Sequence, residues 1–430
     1  MKPIEIIVVG CGNRGECYSE LALTKPDKMR VVGLVDPNPV RLNYLKEKHN
    51  VPEENCYLDF EAFLEREKFA DAVLNGTMDQ LHVATSVPIL EKGYDLLLEK
   101  PFCTNEEELF LLRDAARRTG RKVMICHVLR YTPFYRAIKE HILRGEIGEI
   151  TSIQLAEHVS YHHFGVSYIR GKWAREQVCG SPLLLAKSCH DIDLMMWLKG
   201  GAKPRSVASF GSDFQFRPEK KPQGAGHNCM VDCPKEIEEA CIFSARKNYL
   251  EPEMHWQPYV CRALEGGDTS YEACKKSLMD PENNFGRCVW DCDHDVVDHQ
   301  AVIVNFEDGT TGTFTLAGAV PRAERKLHIT GTKGEIKGVF EDSTYVIRKV
   351  APNNTYEETV YDVGVRGHMD GEYGGHGGGD LRLAADFVDY LRDDTPSISC
   401  TSLEDSVCSH LTVFRAEKAR KNGTVETVFE

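Results

Sequence analysis

Short apolar runs and polar, helix-like stretches alternate along the first third of this chain of 430 residues. The runs Ile4 to Val9, Val31 to Val35, Ala70 to Leu74, Asp95 to Leu98 and Lys122 to Cys126 are mostly apolar and predict buried strands. Between them, Val40 to His49, Glu61 to Glu67, Leu81 to Glu91 and Asn105 to Thr119 predict helices. Such alternation predicts a parallel sheet covered on both faces, with ligands bound beyond the carboxyl ends of its strands. Gly10, Asp36, Thr77 and Lys100 then share one sheet edge.

The pattern changes after residue 125. Thr151 to His158, Ser206 to Gln215, Gln300 to Phe306, Thr310 to Leu316 and Lys326 to Ile329 predict strands, with turn signals such as Glu307-Asp308-Gly309 between them. Residues from about 217 to 296 are rich in Pro, Cys and charge, and read as an insertion without an obvious core of its own. Two helices, Leu381 to Arg392 and Ser402 to Lys421, follow a glycine-rich loop.

Chemistry enters at the first strand. The chain passes from Ile4–Val9 into Gly10-Cys11-Gly12-Asn13-Arg14-Gly15, then a helix, then a strand ending at Asp36, twenty-one residues beyond Gly15. Strand, G-x-G-x-x-G, helix, strand and acid form the dinucleotide-binding fingerprint. Its glycines serve a tight turn, a close approach to pyrophosphate and close helix packing, and its acid takes a ribose hydroxyl. The pyrophosphate would lie against free N–H groups at a helix start. The Asp36 carboxylate favours NAD over NADP, because it would repel a 2′-phosphate; Arg41 nearby moderates that preference. Glu99-Lys100-Pro101 ends a strand on the same edge, where a partly desolvated Lys100 would donate a proton or hydrogen bond to a substrate oxygen.

Composition adds limits. The chain is 42% hydrophobic and 27% charged, with a net charge of −14, and has no basic stripe interleaved with aromatics, which argues against nucleic acid as a partner. No apolar run approaches the roughly 18 residues of a membrane span, and Met1-Lys2-Pro3 leads straight into a strand, so a cytoplasmic location is expected. The sixteen cysteines are scattered, which favours thiols or a metal site over disulfides. In the insertion, Cys229, Cys233, Cys241 and Cys288, with His227 or Cys292 as substitutes, have spacings compatible with a tetrahedral structural zinc. Gly374-Gly375-His376-Gly377-Gly378-Gly379-Asp380 holds five glycines whose entropic cost a plain connector would avoid, so His376 is a candidate for substrate contact. Tyr161, His162 and His163, with Trp173 and Arg175, are candidates to line a sugar pocket or fold over the cofactor.

Together, the Gly10 to Gly15 start, Asp36, Gly76-Thr77, Glu99-Lys100-Pro101, Leu129-Arg130-Tyr131-Thr132-Pro133, Gly145-Glu146-Ile147-Gly148 and Lys187-Ser188-Cys189-His190-Asp191-Ile192-Asp193 resemble the glucose-fructose oxidoreductase and inositol dehydrogenase family, Gfo/Idh/MocA. The resemblance implies an N-terminal Rossmann domain, placed at residues 1–125. An α/β domain with an open, mainly antiparallel sheet follows at 126–430, carrying the substrate site and mediating self-association into dimers or tetramers. It further implies redox chemistry at a secondary alcohol of a sugar or cyclitol. NAD would be held by Gly10, Gly12, Asn13, Arg14, Gly15, Asp36, Thr77, Glu99 and Lys100. Lys100 and His190 would face the substrate carbon.

One departure matters. The family usually places an Asp four residues before this His, and here that position is Ala186. Asp193, three residues after His190, is expected to replace that acid in part, while Lys187 adds a cation that lowers the His pKa. The leading expectation is an NAD-dependent dehydrogenase. Two alternatives stay open: redox-neutral glycoside cleavage by transient oxidation, elimination and hydride return, and a non-catalytic NAD-dependent regulator.

Overall fold

The computed structural model describes residues 2–251, 260, 268–364, 376–393 and 395–429. Its first sheet has six strands: β1 (Ile4–Val9), β2 (Met29–Val35), β3 (Cys56–Tyr57), β4 (Ala72–Asn75), β5 (Asp95–Leu98) and β6 (Val123–Ile125). They run in the order β3-β2-β1-β4-β5-β6, and every pair is parallel. Val8, Leu74, Leu96 and Leu97 are almost wholly buried because helices cover both faces. The strand order reverses between β1 and β4, so the sheet opens a crevice beyond their carboxyl ends. The helices stop where the sequence says they should. Asn38 caps the helix Pro39–His49 by accepting from Val40 N and Arg41 N, and Asn105 caps Glu106–Thr119, which ends at Gly120 with φ 64°.

The second sheet has nine strands: β7 (Ile150–Ser160), β8 (Pro204–Ser212), β9 (His299–Phe306), β10 (Thr311–Val320), β11 (Glu324–Gly331), β12 (Gly334–Val339), β13 (Thr344–Ala351), β14 (Thr355–Asp362) and β15 (Val425–Thr427). The order is β14-β13-β12-β11-β7-β10-β9-β8-β15, and only β7 with β10 is parallel. This is the open, mainly antiparallel sheet expected. Along β9, Val302, Val304 and Phe306 are buried while Ala301, Ile303 and Asn305 are exposed, so one face meets the core and the other meets solvent. Leu194 and Met195 of the helix Cys189–Lys199, with Leu411 and Val413 of Leu403–Asn422, share the inner-face core. Strand β8 ends at Ser212, short of the expected Gln215, because Phe214 N and Gln215 N turn away to Asp298 Oδ2 at 2.8 and 2.5 Å.

Two regions depart from their sequence reading. The insertion has a small core in Ala245, Tyr249, Leu250, Val260, Cys274 and Leu278, which packs on Val166 from outside it. Cys274 is in a disulfide, against the expectation that favoured thiols or a metal site over disulfides. Cys229, Cys233, Cys241 and Cys288 do line one small cavity, yet among the described residues no group of three or more His, Cys, Asp or Glu side chains is set to hold a metal ion. The zinc expectation therefore gains no support from the described residues. The buried Arg170 guanidinium does the stapling instead, donating to Arg287 O at 2.8 Å, Phe243 O at 2.9 Å, Tyr249 Oη at 3.1 Å and Cys229 Sγ at 3.4 Å. Burial pushes the Cys288 and Cys292 thiols up to about 11, so they stay protonated. His227, the other substitute, binds Asp291 through Nδ1 at 2.7 Å.

The helix Gly379–Asp393 returns to the first sheet. Its Leu383, Ala384, Phe387 and Val388 pack with Val8, Tyr18, Leu34, Leu97 and Met124. That return carries the end of the glycine-rich loop to the edge predicted for the cofactor.

Candidate active site

The turn after β1 is shaped by backbone crowding. A Cβ on Gly10, which has φ 89°, would lie 2.6 Å from Gly76 O, and one on Gly15 would lie 2.2 Å from Gly10 O. Gly12 differs: no protein atom lies within 4 Å of the place its Cβ would take. The helix Asn13–Ser19 has no side-chain cap at Gly12, and Asn13 Oδ1 is buried without a hydrogen-bond partner. An uncapped helix start and one open glycine fit a dinucleotide pyrophosphate, whereas the orphaned Asn13 oxygen is an acceptor and suits a donor group. Asp36 ends β2 almost fully buried; its Oδ2 accepts from Cys11 N and its Oδ1 from Asn38 N, both at 2.7 Å. Thr77 ends the third wall, with N and Oγ1 donating to Asn75 Oδ1 at 3.2 and 2.8 Å.

Arg14 does something the motif alone does not suggest. Its guanidinium turns inward, with Nε on Glu99 Oε1 at 2.7 Å and Nη2 on Asp380 Oδ1 at 2.6 Å and on Tyr18 Oη. It joins the glycine turn to the strand end that carries Lys100 and to the returning C-terminal helix. Burial pushes the Glu99 carboxyl up, but the Arg14 guanidinium and the Lys100 ammonium outweigh it and leave it below the ordinary range. Glu99 Oε2 in turn accepts from Lys100 N at 2.6 Å.

Lys100 reaches across to the second domain. Its Nζ donates to Ala186 O at 3.1 Å, so main chain meets the ammonium at the position where this sequence has Ala. Four residues on, His190 is 4% exposed, and its Nδ1 has no hydrogen-bond partner among the described residues. Burial holds His190 well below the usual imidazole range, and the Lys100 ammonium, His127, His376 and Arg325 lower it further. This direction favours the neutral ring, and the foremost cation acting on it is Lys100 and not Lys187. The His127 ring lies 5.7 Å from the His190 ring and the His376 ring 5.9 Å away on centroids.

Asp193 corrects a second expectation. It binds Arg130 in a two-point pair, Oδ2 to Nε at 2.7 Å and Oδ1 to Nη2 at 2.5 Å, and so is turned to Arg130 and not to His190. Lys187 pairs with Glu157 at 3.4 Å, and Arg325 binds the other oxygen of Glu157 and Asp191 Oδ1, the latter at 3.2 Å. Burial and then the Glu157 carboxylate raise Asp191, while Glu157 is itself held low by Arg325 and Lys187 against the effect of burial. His163 is buried near this cluster and lowered by burial and then by Lys187, whereas Tyr161 stacks edge-on with His162 and faces Phe243 of the insertion. Trp173 Nε1 donates to Asp79 Oδ2 at 3.3 Å on the Rossmann side, and Arg175 pairs with Asp293 at 2.6 Å, away from His190. Asp380, Arg325, Glu157 and His127 were not anticipated. His127 follows β6 on the same sheet edge as Lys100, so the edge argument already contained it.

The oxidoreductase family, NAD-binding Rossmann fold, matches residues 4–127, and the oxidoreductase family, C-terminal alpha/beta domain, matches residues 139–427. The chain belongs to the Gfo/Idh/MocA family. This Gfo/Idh/MocA chain is 28% identical over 402 residues to YteT of Bacillus subtilis, provisionally named an oxidoreductase, covering 88% of this chain and 87% of YteT. It is 22% identical over 200 residues to an inositol 2-dehydrogenase of Corynebacterium glutamicum, covering 46% of this chain and 55% of that one. Its fold matches a levoglucosan dehydrogenase in complex with NADH and levoglucosan, with a TM-score of 0.71 over the whole of both chains at 16% identity. It is an NAD-binding oxidoreductase, and among its described residues no helix is long and apolar enough to cross a membrane.

Proposed function

We propose that this chain oxidises a secondary hydroxyl of a sugar, sugar derivative or inositol with NAD. The observation that carries this reading is the convergence of Lys100 from the Rossmann edge, whose Nζ donates to Ala186 O at 3.1 Å, with His190 of the second domain, which the Lys100 ammonium lowers. Bound NAD supplies the hydride acceptor. Lys100 orients and polarises the substrate oxygen, and neutral His190 takes the hydroxyl proton, work worth roughly 10²- to 10⁴-fold in rate. The buried Asp36 supports NAD over NADP, and a cytoplasmic enzyme suits that cofactor. The exposed sheet face, with Phe210 and Ile303 67% and 51% exposed, supports self-association.

A second reading, redox-neutral glycoside cleavage, draws on one observation: His127 and His376 crowd His190, and elimination after oxidation needs a further base for the acidified C–H. The experiment is NADH absorbance with purified protein, NAD and a panel of inositols, sugars and glycosides, beside Lys100→Ala. Sustained NADH that falls by about 10²-fold or more in Lys100→Ala supports the dehydrogenase. Release of an aglycone without net NADH transfers support to the second reading. Neither signal from a chain that still binds NADH leaves the regulatory reading.

A further inference from the structure

The carboxylate missing at position 186 has a counterpart elsewhere in the site. The glycine-rich loop ends in His376-Gly377-Gly378-Gly379-Asp380, and its backbone is forced: His376, Gly377 and Gly378 have φ of 38°, 54° and 79°. A Cβ on Gly379 would lie 2.6 Å from Val128 O. A non-glycine residue held at positive φ beside such close packing is strain that the surroundings must enforce. Its result is that His376 Nδ1 meets Asp380 Oδ1 and Oδ2 at 3.2 and 3.3 Å, while Arg14 Nη2 holds Asp380 Oδ1 at 2.6 Å. With Nδ1 committed to Asp380, the remaining nitrogen of His376 is the one free to accept a proton. Its ring is 5.9 Å from that of His190, whose Nδ1 is buried and unpartnered.

We propose that Asp380 and His376 form the imidazole–carboxylate pair of this enzyme, with Asp380 as positioning residue and His376 as the group that receives the substrate proton from His190. The proposal rests on the dehydrogenase reading. In each turnover the alcohol O–H proton goes to His190, the C–H hydride goes to NAD, and the proton passes to His376 and then to solvent, so alcohol and NAD become ketone, NADH and H⁺. Asp380 stays ionised throughout. The groups facing the two rings are Asp380, Arg14 and Arg325 around His376, and Lys100, His127 and Arg325 around His190. The buried Arg14 explains why Asp380 remains a carboxylate: burial pushes it up, but Arg14 and His376 hold it well below the ordinary range.

The deciding variant is His376→Ala, which leaves the Arg14–Asp380 pair in place. In the NAD holoenzyme it should lower kcat by about 10²-fold with little change in KM, and imidazole in the medium should restore part of the loss. Asp380→Asn should move the pH profile of kcat, whereas a purely structural role would change stability alone. A second measurement needs no substrate: in the NADH complex labelled with ¹⁵N-histidine, His376→Ala should move the His190 titration by roughly one unit. NADH fluorescence titration shows that each variant is folded, and His376→Gln serves if Ala does not fold. The proposal is overturned if kcat stays within about twofold of the wild type and the His190 titration is unmoved. If the wild type oxidises no polyol, the dehydrogenase reading fails by itself, and the titration still decides whether the two rings are coupled.

Discussion

Removing the Asp193 carboxylate alone should cost far more stability than removing Asp193 and Arg130 together. Both side chains are almost wholly buried, at 1% and 4% exposure, and two hydrogen bonds of 2.7 and 2.5 Å join them. Arg130 keeps one further bond, from Nη1 to Cys400 O at 3.1 Å, and its guanidinium lies over the Trp197 ring at 5.7 Å. In Asp193→Ala that cation is stranded with no solvent to take it, at a cost of about 3–5 kcal/mol. Burial holds the Asp193 carboxyl above its ordinary range even beside Arg130, so desolvation offsets much of the attraction within the pair. Replacing both, as Arg130→Met with Asp193→Leu, removes the charges and keeps apolar contact with Trp197; it should fall within about 1–2 kcal/mol of the wild type. The double variant should then be more stable than Asp193→Ala by about 1–4 kcal/mol. Urea unfolding followed by tryptophan fluorescence, at fixed protein concentration and without NADH, reads these differences. A double variant no more stable than Asp193→Ala, or a single variant that loses less than about 1 kcal/mol, would refute the reasoning. If Asp193 instead served His190 directly, Asp193→Asn would shift the pH profile of kcat.

Three further outcomes are expected. Gly12→Ala should change the stability of the NAD-free protein by less than about 0.5 kcal/mol, because its Cβ would meet no protein atom, yet weaken NADH binding about tenfold in a fluorescence titration. Gly379→Ala should cost about 1–3 kcal/mol in urea unfolding, since its Cβ would press on the Val128 carbonyl. Lys139 is lowered to about 8 by burial, then by Arg130 and Lys199, while its Nζ caps Trp197 O at 2.5 Å. Between pH 8 and 10.5 the unfolded chain holds a proton on Lys139 that the native one does not, so native stability gains from this residue as pH rises. The wild type should therefore gain roughly 2–3 kcal/mol on Lys139→Met across that window, and a flat difference would contradict the assignment.

The first sheet was legible because parallel strands buried on both faces leave near-continuous apolar runs, as β4 and β5 do. Strands β12, β13 and β14 were not anticipated, and β14 shows why. Seven of its eight residues are exposed and the eighth is half-buried, so no alternation marks it, and only pairing with β13 makes it a strand. The insertion misled for a different reason. Cysteine spacing suggested a metal, but the cation that satisfies the segment is Arg170, supplied from outside it and invisible to any local count.

The candidate site divides along the same line between local and distant information. Gly10 to Gly15, Asp36 and Lys100 were found because each sits at a strand end, and strand ends of a parallel sheet gather at one edge. Spacing within one helix was a weaker guide. Asp193 stands three residues from His190, yet its carboxylate is claimed by Arg130, whose two donors fit it better than one imidazole nitrogen would. The acid that does meet an imidazole in this site, Asp380, lies 366 residues from the Arg14 that holds it. No periodicity links such a pair. The glycines before Asp380 were the legible trace, because a chain accepts their entropic cost where its backbone must approach another closely, and here that approach is to Val128 beside His127. Position 186 therefore offers His190 no carboxylate of its own: Lys100 Nζ meets the Ala186 main-chain carbonyl, and the carboxylate that meets His376 is Asp380, from the far end of the chain.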